Sequence, residues 1–192
     1  MPRDEPQVKG AWFVTSRRQL LAAHGDAALA RIARHMGEEY ADAMLDPVTS
    51  AWYPETTFQR ALAAVADETC DGEPEKFVEF IEECTVLGIN RFLKIILALT
   101  SPPYLLGKMP IFWSRHRQNN GKLEVEMGER CARLHYSEFP FFDDRNYRLL
   151  VRAILRKTVE VASGVRPDVT VRDYGKDRLV VDVYFATRAR VP

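Results

Sequence analysis

Cysteine is scarce in this sequence. Cys70, Cys84 and Cys131 are an odd number at wide spacing in 192 residues, which argues against a disulfide framework. An excess of either charge is absent too. Lys+Arg and Asp+Glu balance at 27 each, so no general attraction to nucleic acid or to an anionic membrane is expected. Long apolar runs are missing. The longest, at 92–99, is interrupted by Lys94 and falls far short of the roughly 18–20 residues that span a bilayer. The first ten residues, MPRDEPQVKG, lack the apolar core of a secretory signal. A cytoplasmic location is the simplest expectation.

Catalytic signatures are missing as well. The sequence has no G-x-S-x-G, no P-loop, no G-x-G-x-x-G and no C-x-x-C. The four histidines, His24, His35, His116 and His135, include no i,i+4 pair of the kind that holds a metal on a helix. Cys84 follows two carboxylates, which discourage its thiolate, and reads as a small core residue. With no legible acid–base pair or nucleophile, the chain is expected not to be an enzyme, and no metal site is expected.

What is present suffices for a core. Hydrophobic residues make up 46% of the chain and aromatics 10%, ordinary for one globular domain. Residues 1–10, polar with two prolines, read as a loose tail. The next hundred or so read as helical. Thr15 or Ser16 can cap a helix over RRQLLAAH that stops at Gly25, and Asp26 can cap the next, which Gly37 closes. A third helix over EEYADAML stops at Asp46-Pro47. AWYPETTFQRALAAVADETC reads as a helix with Pro54 in its first turn. The run from Gly72 to Thr100 reads as helical throughout, with a break or close contact at Gly88 and an end at Pro102-Pro103. The period then changes. LEVEM and CARLHYSEF alternate around Gly128, a hairpin. DDRNYRLLVRAILRKTVEVASG is a long helix, capped by Asp143 or Asp144 and stopped by Gly164. A second hairpin turns at Gly175-Lys176-Asp177. The expected class is therefore α+β: a helical N-terminal part followed by a ββαββ antiparallel four-stranded sheet with its helix on one face.

This order resembles the heme nitric oxide/oxygen-binding (H-NOX) superfamily and its heme-free, 4-vinyl-reductase-like relatives. The start VKGAWFV…LLAAHGDAAL and the segment Trp52-Tyr53-Pro54 are similar to an uncharacterised myxobacterial paralogous family. The resemblance covers most of the chain. It implies a single domain over 1–192, with a helical subdomain at 11–118 and a ββαββ subdomain at 119–192.

Two motifs decide what the resemblance implies about heme. Heme-binding members carry F-L-x-N-L-D-x-L-H, whose histidine is the proximal ligand. Here the matching run is Phe92 to Thr100, and Thr100 takes the histidine position. A hydroxyl of that kind is a poor ligand for heme iron. They also carry Y-x-S-x-R, which clamps the propionates. Here Tyr136 is kept, Glu138 takes the serine position and Pro140 the arginine position. A carboxylate repels a propionate and proline has no N–H to donate. No heme cofactor is expected.

The resemblance also implies a pocket between helices and sheet. Candidates to line it are Phe92, Ile96, Phe112, Trp113, Tyr136 and Phe139, either around a small apolar ligand or as a filled core. Arg145, Arg148, Arg152 and Arg156 form a basic stripe on the long helix, either a solvated face or a docking surface for an acidic partner. The block 115–122, RHRQNNGK, reads as a polar basic loop. The leading expectation is a heme-free sensory or regulatory domain that binds a small hydrophobic ligand or a signalling protein. With no further domain legible, its output passes through a partner or through self-association. The alternatives are a purely structural interaction module with a filled core and, more weakly, a heme gas sensor with a displaced ligand such as His116 or Cys84.

Overall fold

The computed structural model describes residues 5–89, 100–119 and 121–185. Within them the chain divides into two compact units, on different lines from the expected 11–118 and 119–192. One takes in the chain up to Gly88 together with the short stretch from Arg115 to 119. The other takes in Ile89, the stretch up to Ser114, and the described chain from Gly121 on.

The first unit is built on helices α1 (Ala11–Met36), α2 (Glu38–Leu45), α3 (Glu55–Cys70) and α4 (Pro74–Gly88). Phe13, Leu20, Ile32, Met36, Phe58, Phe77 and Ile81 are buried among them. Phe13 sits 5.5 Å from Phe58, edge to face, and 4.8 Å from Tyr53. The expected break in α1 falls at Gly25, whose φ of 73° lies in the left-handed region that suits glycine. Thr15 is not a cap. The helix has already begun at Ala11, and the Thr15 hydroxyl donates back to the carbonyls of Ala11 and Trp12, a bond available to threonine inside a helix.

Two expectations for this unit are corrected. The N-terminal stretch is not all loose tail. Gln7–Lys9 form β1, the middle strand of an antiparallel sheet with β2 (Trp52–Pro54) on one side and β3 (Arg117–Gln118) on the other. The register sets Val8 opposite both Tyr53 and Arg117, and Val8 is wholly buried. Trp52-Tyr53-Pro54 is accordingly strand rather than helix, and α3 starts one residue later. Gly10 locks the arrangement. Its N–H donates to Ala51 O at 2.9 Å, and a Cβ at this position would lie 2.0 Å from Val48 O.

The second unit holds α5 (Pro102–Gly107), α6 (Met109–His116) up to Ser114, the four-stranded sheet and α7 (Arg145–Ser163). Pro102 and Pro103 open α5 rather than simply ending what precedes them, since proline suits a helix's first turn. Strands β4 (Lys122–Met127), β5 (Cys131–Ser137), β6 (Asp168–Tyr174) and β7 (Leu179–Tyr184) stand in the order β4-β5-β7-β6, all antiparallel. Alternation chooses the faces. Leu134, Tyr136, Leu179, Val181 and Val183 point into the core, while Arg133, His135 and Tyr184 lie on the opposite side. The core side meets Leu150, Val151, Leu155 and Val159 of α7, all buried. At about 1.5–3 kcal/mol for each large apolar side chain withdrawn from water, this face alone accounts for the helix docking. Asp144 caps α7, accepting from Asn146 N at 2.7 Å, and Gly164 ends it with φ 73°.

Candidate functional site

The described pocket candidates gather in the second unit. Trp113 of α6 lies 5.1 Å from Tyr136 of β5 and 5.4 Å from Phe139, both edge to face. Phe142 closes the group, 4.8 Å from Phe139 and 5.6 Å from Tyr136. Tyr147 at the start of α7 joins it, 5.3 Å from Phe139. Phe139, Phe142 and Tyr147 are fully buried, and Tyr136 nearly so. Tilted and edge-to-face contacts at these distances are how aromatic rings fill space in a core. Phe112 is half-buried on the same helix. Phe92 and Ile96 lie outside the described residues. Phe142 belongs to the same aromatic stretch SEFPFF as Phe139, and Tyr147 joins from beyond the pocket candidates. The run FPFF places Phe142 in the loop that returns onto the sheet, and Tyr147 follows in the first turn of α7.

That loop is fastened by its backbone. Phe139 N donates to Asp177 O and Phe142 N to Lys176 O, at 3.3 and 3.2 Å, so the turn between β6 and β7 holds the aromatic run in place.

The positions that the resemblance ties to heme recognition lie in this unit too. Strand β5 ends at Ser137, and Glu138 sits in a left-handed turn with φ 60°. Its carboxylate is exposed and ion-paired to Lys122. Pro140 is exposed and offers no N–H. Between them Phe139 turns inward, and Tyr136 is spent in the aromatic cluster. Thr100 presents a hydroxyl where an imidazole would be needed. The altered positions do not fit the heme group: Thr100 supplies no iron ligand of the usual kind, and Glu138 and Pro140 supply no cation or neutral donor for a propionate.

The basic stripe is not a uniform surface. Arg145 is exposed, but Arg156 is only 8% exposed. Arg148 donates to the carbonyls of Phe142 and Asp143, each at 2.7 Å, and its guanidinium lies 4.0 Å over the Tyr174 ring. It works as a clasp for the aromatic loop. Arg152 is half-buried. The block 115–122 is corrected in the same way: Arg117, read as part of a polar loop, is buried. Its Nη2 and Nε face Glu55 Oε1 at 3.2 and 3.3 Å, and Glu55 is 0% exposed.

Sequence reasoning also missed Asp182. It stands on the outer side of β7 and is fully buried beneath two arginines. Arg133, its register partner on β5, bonds both carboxylate oxygens at 2.8 and 3.1 Å. Arg172, at the β6 bulge, reaches it at 2.9 Å. The hint was an aspartate inside the β-branched run LVVDVY. Hydrogen bonds from Arg133 hold its carboxyl below the ordinary 3.8, outweighing burial, which acts the other way. A depressed carboxyl stabilises the fold above its unfolded value and loses that contribution as the pH falls from there toward the folded value. Urea melts across acidic pH should therefore fall steeply below about pH 4 and less steeply in Asp182→Asn. Parallel slopes for the two proteins would remove Asp182 as the cause.

Cys84 is a buried free thiol. Burial first, and the Glu83 charge to a smaller degree, push its thiol up to about 12, against a lowering hydrogen bond with Ser16. Among the described residues, no three His, Cys, Asp or Glu side chains are placed to hold a metal ion, and no helix is long and apolar enough to cross a membrane.

No family model matches the chain, and no curated protein matches it. Solved structures do match. An Fe(II) unliganded H-NOX protein from K. algicida superposes with a TM-score of 0.70 at 11% identity, covering 96% of this chain and 100% of that one. A Cs H-NOX variant carrying 4-cyano-L-phenylalanine gives 0.64 at 15% identity, covering 93% and 97%. An oxygen-binding H-NOX domain related to soluble guanylate cyclases gives 0.63 at 13%, covering 93% and 95%. The expected α+β architecture is thus the H-NOX fold.

Proposed function

We propose that this chain, an H-NOX fold by its structure, is a non-enzymatic regulatory domain that works without heme and through contact with a protein partner. The observation that carries this reading is the state of the Y-x-S-x-R positions: Tyr136 packed into a closed ring cluster, Glu138 ion-paired in a left-handed turn, and Pro140 without a donor. Thr100 at the histidine position supports it independently. The buried, mutually packed rings favour a filled core in the sheet unit over a ligand chamber there. A receptor for a small apolar ligand is the second reading, supported by the half-buried Phe112 and Trp113 on α6. The absence of a membrane-crossing helix among the described residues is consistent with a cytoplasmic domain.

The test is to express the chain with heme supplied and to record its absorption and native mass. We expect no Soret band and an apo mass. A stoichiometric Soret band would overturn the heme-free reading. A reproducible non-heme adduct lost on denaturation would replace the partner reading with the receptor one.

A further inference from the structure

The first unit carries an open groove of about 640 Å³ along α1 and the end of α2, lined by Val14, Arg17, Arg18, Leu21, Asp46 and Pro47 among others. Its chemistry is mixed in an ordered way. Val14, Leu21 and Pro47 make an apolar floor. Arg17 is held in place, its Nε donating to Leu45 O at 3.0 Å, where it also satisfies a carbonyl at the end of α2. Arg18 beside it is exposed. Against these two cations the lining sets one anion, Asp46. Next in sequence to Asp46 and Pro47, Leu45 and Val48 are 41% and 53% exposed.

We infer that this groove docks an acidic–apolar segment of a partner protein, with a carboxylate on the Arg17/Arg18 pair and an aliphatic side chain on the Val14, Leu21 and Pro47 floor. The inference rests on the partner reading above and names the surface and the partner's chemistry. Charge complementarity selects the occupant. Arginine forks recognise carboxylates in pairs of parallel bonds, and Arg17 is already oriented by Leu45 O, which lowers the ordering cost of binding. The openness selects a polypeptide. A small-molecule pocket encloses most of its ligand, whereas this groove is open to solvent and followed in the chain by the exposed Val48. Nucleic acid is disfavoured by Asp46 in the lining and by a chain with no net charge.

The experiment screens the full chain against three sets of short synthetic peptides. The first combines Asp or Glu with Leu or Ile, the second keeps the aliphatic positions but replaces the acids by Lys, and the third keeps the acids but replaces the aliphatics by Ser. Binding is followed by fluorescence anisotropy at low and moderate salt. Members of the first set should bind, more weakly as salt rises, and Arg18→Glu should weaken them by about tenfold or more. Val48→Ser, a neutral change at an exposed aliphatic position, should weaken them too while the fold is kept. Absence of binding, equal binding of the Lys set, or indifference to Arg18→Glu would each overturn the inference. A fatty-acid anion that occupies the groove and blocks the peptides would reassign it to an amphiphile. Self-association abolished by Arg18→Glu would reassign it to a second copy. The two tests separate: a Soret band overturns the heme-free reading and leaves the groove untouched, while peptide failure overturns the groove and leaves the heme question where it stood.

Discussion

Arg117→Ala is expected to lower the unfolding free energy by about 3–5 kcal/mol. The substitution removes the guanidinium that faces the Glu55 carboxylate from 3.2 Å, at a place where Glu55 is wholly cut off from water. Desolvation dominates the cost. A buried carboxylate deprived of its cation must either stay charged in a low-dielectric setting or take up a proton, and both weaken the fold. Glu55 opens α3, so its charge also meets the positive end of that helix, which offsets part of the loss. The local consequence is larger than one pair suggests. Arg117 sits on β3, which is joined to β1, and β1 in turn to β2. Freeing it loosens the strand that ties the N-terminal segment down. Urea denaturation of the single variant, set beside Glu55→Leu/Arg117→Met, checks the argument. The double replacement should recover most of the loss, because it removes both charges together. A single-variant cost below about 1 kcal/mol, the range of an exposed pair, would show that solvent reaches the site.

Phe139→Ala should cost a similar amount, about 3–5 kcal/mol. The ring is fully buried and touches Trp113, Phe141, Phe142 and Tyr147. Removing it opens a cavity whose neighbours, pinned by the Arg148 clasp and by the bonds to Lys176 and Asp177, have little freedom to collapse. The size of the loss bears on function. A chamber shaped for a ligand tolerates truncation of a lining ring, with loss of the ligand instead of the fold. A packed core does not. Thermal unfolding of the variant with and without an apolar probe such as ANS distinguishes them: a large destabilisation without probe binding in the wild type belongs to a filled core. A near-neutral variant would reopen the receptor reading.

The hairpins, the long helix and the α+β class were legible in the residues because each rests on a local rule. LEVEM and CARLHYS alternate because one face of a sheet is buried. Asp144 and Gly164 bracket α7 because a helix leaves donors at one end and needs a left-handed residue at the other. Gly25 and Gly37 were readable as breaks for the same backbone reason. The N-terminal strand was not. Pro6-Gln7-Val8-Lys9 is polar and short, and nothing local distinguishes it from a tail. It becomes a strand only because Trp52-Tyr53-Pro54 and Arg117-Gln118 lie on either side of it to complete its hydrogen bonds. The candidate site divides in the same way. The aromatic residues of SEFPFF could be named, but Tyr147 joined their cluster from α7, and Arg148 and Arg156 left the expected surface by finding partners or burial.

What the sequence by itself determined is therefore the two hairpins, the long helix between them, the main N-terminal helices and the side of the sheet that faces the core, since periodicity and capping chemistry need no distant neighbours to be read. What only the tertiary structure decided is which charges are buried. Glu55 and Arg117 are 62 residues apart, and Asp182 meets Arg133 across 49. Whether a charge is solvated or paired depends on what the chain brings to it from afar, and no local pattern records that.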